Sequence, residues 1–231
     1  MIHRWQWLAF LHWPLEPDVV APLLPHGLEV DTFDGLAWVG LIPFRMQLWL
    51  PGLRAARRTF PETNVRTYVR GPDGRRGIWF FSLDAADPAA VSTARLLYGL
   101  PYFWSRMRIA ASGREIGYFA ERRTGRGVRS AVRIRVDDPI GGPSDLTDLE
   151  DFLVSRWWLY GLARRGLTTV PAEHPPWVLW KAGLIELDDG LAPASRLPVP
   201  DGEPLVHYSP GVEVRIGRRR TLWAGAGSGR A

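Results

Sequence analysis

The sequence contains no cysteine, which excludes disulfides and thiolate chemistry, whether nucleophilic or zinc-binding. Lysine is nearly absent too: of the 29 Lys and Arg residues only Lys181 is a lysine. The five histidines, His3, His12, His26, His174 and His207, fall in no HxH or HExxH spacing, so no local metal motif exists and no metal is expected. There is no GxxxxGK[ST] loop and no GxSxG elbow. Gly225, Gly227 and Gly229 sit near the end of the chain with no helix to follow them. No apolar run approaches the length of a membrane span. The N-terminal apolar stretch is broken by Gln6 and His12 and lacks a small-residue cleavage site, which makes it a poor signal peptide. A cytoplasmic location, with no membrane partner, is the expectation.

What is present is ordinary globular material, with 46% apolar and 23% charged residues over 231 positions; such a chain can bury a sizeable core. The net charge is +5, and arginine is the residue of choice for phosphate. Yet the arginines are scattered, often beside acids, and only Arg218-Arg219-Arg220 form a dense cluster. Nucleic acid is therefore not the expected partner.

Turn and periodicity signals outline the elements. Trp5, Trp7, Ala9 and Leu11 alternate with Gln6, Leu8, Phe10 and His12, a strand with at least one buried face. A short helix opens at Pro17 and runs through Leu24, ahead of Pro25 and Gly27. Asp34-Gly35 between apolar runs predicts a hairpin of 28–33 with 36–43. A second hairpin joins 59–70 to 77–84 through Gly71-Pro72-Asp73-Gly74. Asp87-Pro88 caps a helix that runs to about Tyr98. Three strands are expected over 105–136, a helix over 144–155, and further strands including 177–187 and 204–216. No repeat or linker divides the chain. The expected architecture is one α+β, mainly β domain over 1–220: an antiparallel sheet curled into a barrel or cone, with a few peripheral helices. The Gly-rich 221–231 is expected to be a flexible tail. Twelve tryptophans fill this interior or wall a large apolar cavity.

One polar row stands out. In Pro61-Glu62-Thr63-Asn64-Val65-Arg66-Thr67-Tyr68, period two puts Glu62, Asn64, Arg66 and Tyr68 on one face. That row offers an acid or base, an amide, a carboxylate fork and a phenol. Facing a cavity, it suits a small anionic or carbonyl ligand; facing water, it is a solvated Glu–Arg surface. Lys181 lies among apolar neighbours in 177–185, where a desolvated amine gains nucleophilicity; a strand lysine reaching to water is the commoner arrangement.

Several stretches together carry a resemblance: Phe10-Leu-His-Trp-Pro, Leu23-Leu-Pro-His-Gly-Leu-Glu-Val-Asp, Phe33-Asp-Gly-Leu-Ala-Trp-Val-Gly-Leu-Ile-Pro-Phe, Phe60-Pro-Glu-Thr-Asn-Val-Arg-Thr-Tyr-Val, Tyr98-Gly-Leu-Pro-Tyr, His174-Pro-Pro-Trp and His207-Tyr-Ser-Pro-Gly-Val-Glu-Val. In this order, over about 3–216, the chain resembles the YqjF-like family, a branch of the acetoacetate-decarboxylase-like superfamily. The resemblance implies an antiparallel barrel or cone around an apolar cavity, in which Glu62 matches the cavity carboxylate. It also implies a Gly-Phe-Pro turn followed by imine-forming lysines. Here the turn is Gly99-Leu100-Pro101 and the next residues are Tyr102 and Phe103, neither of which can form an imine. The expectation is a small-molecule cavity lined by Glu62, Asn64, Arg66, Tyr68 and Tyr102, with Glu62 and Arg66 as the catalytic candidates. No cofactor is called for, and a homo-oligomer is compatible with this reading. Two alternatives stand beside it: a decarboxylase- or aldolase-type lyase using Lys181, and a structural protein whose interior is filled by aromatic side chains.

Overall fold

The computed structural model describes residues 1–49, 57–124, 127–163, 166–199 and 202–222. In chain order the strands are β1 (Ile2–Leu15), β2 (Glu29–Val30), β3 (Ala37–Trp49), β4 (Arg57–Arg70), β5 (Arg76–Ala85), β6 (Tyr102–Ser112), β7 (Glu115–Arg122), β8 (Arg129–Gly141), β9 (Trp158–Ala163), β10 (Gly166–Glu173), β11 (Leu179–Asp189), β12 (Leu205–Ile216) and β13 (Arg220–Thr221). Among the described residues four α-helices accompany them, α1 (Pro17–Val20), α2 (Pro88–Tyr98), α3 (Asp148–Val154) and α4 (Leu191–Ala194). The fold is thus mainly β with few helices. None of the described helices is long and apolar enough to cross a membrane.

The strands form one sheet in the order β13-β10-β9-β5-β6-β7-β8-β11-β12-β1-β3-β4-β2, with additional pairings β10–β12 and β5–β4. Most neighbours are antiparallel, but β5 runs parallel to both β6 and β9. The β5–β6 crossover is carried by α2. Its start is fixed by Asp87, whose side chain accepts from the Ala89 and Ala90 amides, and its end by Gly99 in the left-handed conformation. This stop delivers Pro101 and Tyr102 to β5, where Tyr102 is in register with Leu83.

The Asp34-Gly35 turn forms, closed by reciprocal Phe33–Leu36 backbone hydrogen bonds, but it does not join two long arms. The segment before it contributes β2, which pairs with β4 rather than with β3. The helix expected over 144–155 starts later, at Asp148. Thr147 and Glu150 make a reciprocal capping box there, which fixes the first turn. At the C-terminus, Arg220 and Thr221 pair with β10; residues 223–231, most of the expected tail, lie outside the described residues.

Both faces of the β1-β3-β4 region are buried. One face supplies a core that includes Leu8, Phe10, Ile42, Phe44, Phe60 and Tyr68. The other supplies a second core that includes Ala9, Leu11, Val39, Leu41 and Val65, packed against Tyr118 and Ile134. Burial on both faces is why hydrophobicity does not alternate along β4.

β1 also changes parity partway along. Trp7 has a positive φ of 54°, and the β1–β3 register shifts between Gln6 and Leu11. This bulge places Trp5 on the same side as Leu8 and Phe10, where simple alternation puts Trp5 opposite them. Gly211 of β12 lies across from Gln6. Its φ is +129°, and a Cβ there would collide with the Trp5 carbonyl. Gly211→Ala is therefore expected to destabilise the fold by at least ~1–3 kcal/mol, read as a shifted urea midpoint with unchanged slope. A neutral result would show that the bulge does not depend on this contact.

Candidate functional site

The cavity of about 260 Å³ lies on the inner face of β4 and is walled by β1, β3, β5, β10 and the cavity-facing side of α2. Glu62, Asn64 and Arg66 line it from β4 and Tyr102 from β6. Tyr68, expected in the same row, does not line it. Tyr68 is fully buried behind Arg66 and holds other groups in place. Apart from these polar residues the wall is dominated by side chains such as Leu8, Ile42, Phe44, Phe60, Phe80 and Leu100.

The acid of the row is Glu62, only 3% exposed. Among the described residues its one hydrogen bond comes from the Tyr102 hydroxyl, which donates to Oε1 at 3.1 Å. Burial, opposed by that bond and reinforced by nearby Asp84, pushes the Glu62 carboxyl up to about 8. It is therefore mainly a neutral acid at neutral pH, poised to give or take a proton. Tyr102, buried beside it, is held well above the ordinary phenol value. Asp84 contacts no ligand space. It is fully buried, forms a two-point ion pair with Arg122 at 2.9 and 3.0 Å, and accepts from Ser105 at 2.7 Å. Arg122 in turn covers the Phe103 ring at 3.7 Å. The two positions after the Gly-Leu-Pro turn thus diverge: Tyr102 faces the cavity and Phe103 stacks on an arginine outside it.

At the other end lies Arg66, 7% exposed. Its Nη2 donates to the Tyr68 hydroxyl at 3.2 Å and, more weakly, to the Leu153 carbonyl at 3.4 Å. Among the described residues Nε has no partner and no carboxylate pairs with this guanidinium. A buried charge without a counter-ion is costly and calls for an anion. The Tyr68 hydroxyl is itself fixed, with Leu153 O and His12 Nε2 both at 2.7 Å. Since a phenol has one proton, donation to Leu153 leaves His12 donating from Nε2. Burial, and then the Arg66 charge, hold His12 well below its ordinary value, so this buried imidazole adds no second charge beside Arg66.

Arg156 also lines this end, but it is matched by Asp31 at 3.1 Å. Burial lowers Arg156 to about 10, with Arg76 contributing and Asp31 opposing. Asp31 also holds Arg76 at 2.7 Å and Arg70 at 3.3 Å. Three aromatic groups complete the wall. Trp5 stacks against Trp177 with ring centres 6.4 Å apart, and His174 lies 5.1 Å from Trp177. His174 is kept below its ordinary value chiefly by burial.

Lys181 is on β11, exposed, in register with His207, and is not among the cavity-lining residues. As it is the chain's only lysine, no lysine amine reaches Glu62 in this structure. Among the described residues no group of three or more His, Asp or Glu is placed to hold a metal ion. Sequence reasoning named Glu62, Asn64, Arg66 and Tyr102 but not Trp5, Arg156, His174 or Trp177. These four come from β1 and from loops between distant strands, and no local spacing connects them to β4.

Comparison with known proteins agrees with this arrangement at the level of family and fold. A sequence profile of the family DUF2071, described as an uncharacterized conserved protein, matches residues 3–213. The uncharacterized protein YqjF of Bacillus subtilis (strain 168) is 34% identical over 215 residues, covering 90% of this chain and 87% of YqjF. An acetoacetate decarboxylase-like enzyme from Sphingomonas wittichii RW1 superposes with a TM-score of 0.69 at 17% identity, over 96% of this chain and 93% of that one. Acetoacetate decarboxylase from Legionella pneumophila gives 0.64 at 16% identity, over 96% and 88%. The enduracididine biosynthesis enzyme MppR, in complex with pyruvate, gives 0.68 at 16% identity, over 97% and 91%. The chain therefore belongs to the DUF2071 family, with YqjF as a relative, and has an acetoacetate decarboxylase-like fold.

Proposed function

We propose that this protein binds, and has the groups to transform, a small carboxylate or carbonyl compound in the β4 cavity without a covalent lysine intermediate. The observation that carries the reading is Arg66: a buried, cavity-lining guanidinium with no carboxylate partner among the described residues. Arg66 receives the carboxylate, Asn64 supplies an amide midway along the row, and the neutral Glu62–Tyr102 pair donates to a carbonyl or hydroxyl oxygen. Where chemistry follows, Glu62 is the acid or base. A similar fold holding pyruvate, in MppR, is consistent with this ligand class.

The β5–β4 and β10–β12 pairings favour reading the sheet as a barrel or cone closed around that ligand, in a single domain, and a cytoplasmic location belongs to the same reading. The exposed position of Lys181 speaks against a relocated amine nucleophile. The open volume beside Glu62 speaks against an interior filled by aromatic side chains.

Native mass spectrometry of the protein, alone and with a panel of small 2-oxo and 3-oxo acids, tests the proposal. An added or retained mass that disappears in Arg66→Ala is expected. No bound species across carboxylates of any size, or binding indifferent to Arg66, would overturn it.

A further inference from the structure

The ionisable groups that the β4 row gives the cavity, Glu62 and Arg66, sit at its two ends, with the Asn64 amide between them. Glu62 and Arg66 are four residues apart on one strand, which separates their Cα atoms by roughly 13 Å at ~3.3 Å per residue. Their side chains do not converge across that interval. The guanidinium of Arg66 is held toward the far side by Tyr68 and Leu153, whereas the Glu62 carboxyl is engaged by Tyr102, which enters from β6. A three-carbon oxo acid seated on Arg66 is too short to reach Glu62. Apart from Asn64, the wall around this interval is largely apolar, formed by Leu8, Ile42, Phe44 and Phe80 among others, and a fully polar ligand would leave that surface uncovered.

The charge at the inner end is also limited. Arg156 pairs with Asp31, which it shares with the partly exposed Arg76 and Arg70, leaving Arg66 as the one buried guanidinium lining the cavity without a carboxylate contact among the described residues. At the opposite end, Glu62 already lies in the field of Asp84 and the lining Arg58 is taken by Asp87, so a second ligand carboxylate would find no unpaired guanidinium there among the described residues. That arrangement admits one anionic group and disfavours two.

We infer that the ligand is an amphiphilic monocarboxylate: a carboxylate for Arg66, an apolar chain or ring of medium length beside Phe44 and Phe80, and an oxygen function at the far end for Glu62 and Tyr102. The inference rests on the proposed carboxylate site and specifies its occupant.

Titration calorimetry with pyruvate, octanoate, ω-hydroxyoctanoate and the dicarboxylate suberate tests it on the full chain. Octanoate should bind at least tenfold more tightly than pyruvate and than suberate. ω-Hydroxyoctanoate should bind more tightly than octanoate, and that advantage should vanish in Glu62→Leu, with a thermal melt of the variant confirming that it folds. Pyruvate or suberate matching octanoate overturns the inference while leaving the carboxylate site standing. Loss of the hydroxyl preference in the native protein removes the far-end contact. No binding by any of the four acids, or binding unchanged in Arg66→Met, overturns the carboxylate site itself.

Discussion

Replacing Arg66 by Met is expected to raise the melting temperature of the ligand-free protein while removing carboxylate binding. The two effects have opposite signs because they draw on the same feature. In the folded chain the Arg66 guanidinium is buried with two neutral hydrogen-bond partners and, among the described residues, no carboxylate, and desolvating a charge under those conditions opposes folding. Met keeps an unbranched stem that packs against the neighbouring apolar wall. The partners it abandons are not orphaned, since Tyr68 still bonds Leu153 O and His12. A gain of about 1 kcal/mol or more follows, a shift of roughly 2–4 °C per kcal/mol for a domain of this size. Binding moves the other way: truncating one side of a buried charge pair costs about 2–5 kcal/mol, which is a loss of roughly thirtyfold to several thousandfold in affinity. A variant that melts lower and still binds carboxylates would mean that Arg66 serves the fold and not a ligand.

The sequence made the hairpin through Gly71–Gly74, α2 with its Asp87 cap, and the β6-β7-β8 meander legible, because each is set by local turn and capping chemistry. It also made the polar row of β4 legible as a row. It did not reveal that β4 is covered on both faces, since Thr63 and Thr67 look like solvent residues in a linear reading. In the fold both are buried, and Thr67 donates to the Trp38 carbonyl. Nor did it place Tyr68, which alternation assigns to the cavity but which stands behind Arg66 as a support. The parity change in β1 was invisible for a similar reason. It depends on Trp7 adopting a positive φ next to Gln6, which pairs with Gly211, a pairing between residues about two hundred positions apart. Asp84, which raises the proton affinity of Glu62, is itself held by Ser105 of β6 and Arg122 of β7, and only the assembled sheet brings these strands together.

Glu62→Gln should make the protein more stable than the native chain at pH 8 and leave it nearly unchanged at pH 4. The sign follows from proton counting. In the folded chain the Glu62 carboxyl is raised to about 8, while its ordinary value is 4.5. Below about pH 4 both folded and unfolded states hold the proton, so the native Glu and Gln behave alike. Between 4.5 and 8 the unfolded chain has released the proton and the folded chain retains it, so native stability falls as pH rises. The slope is about 1.4 kcal/mol per pH unit, and the accumulated penalty reaches several kcal/mol near pH 8, beyond which it levels off. Gln preserves the shape and the acceptor for Tyr102 but carries no proton to lose, so its stability lacks this descent. The buried histidines, whose shifts are in the opposite direction, destabilise on acidification in both proteins and cancel from the difference. Thermal melts of the pair from pH 4 to 9 measure that difference directly, and parallel curves would mean that Glu62 is not held protonated. The same proton links to the ligand. A carboxylate on Arg66 adds negative charge to the cavity and raises Glu62 further, so carboxylate affinity should decline above pH 8 in the native protein and stay level in Glu62→Gln. Affinity that is flat with pH in both would place the bound anion outside the reach of Glu62.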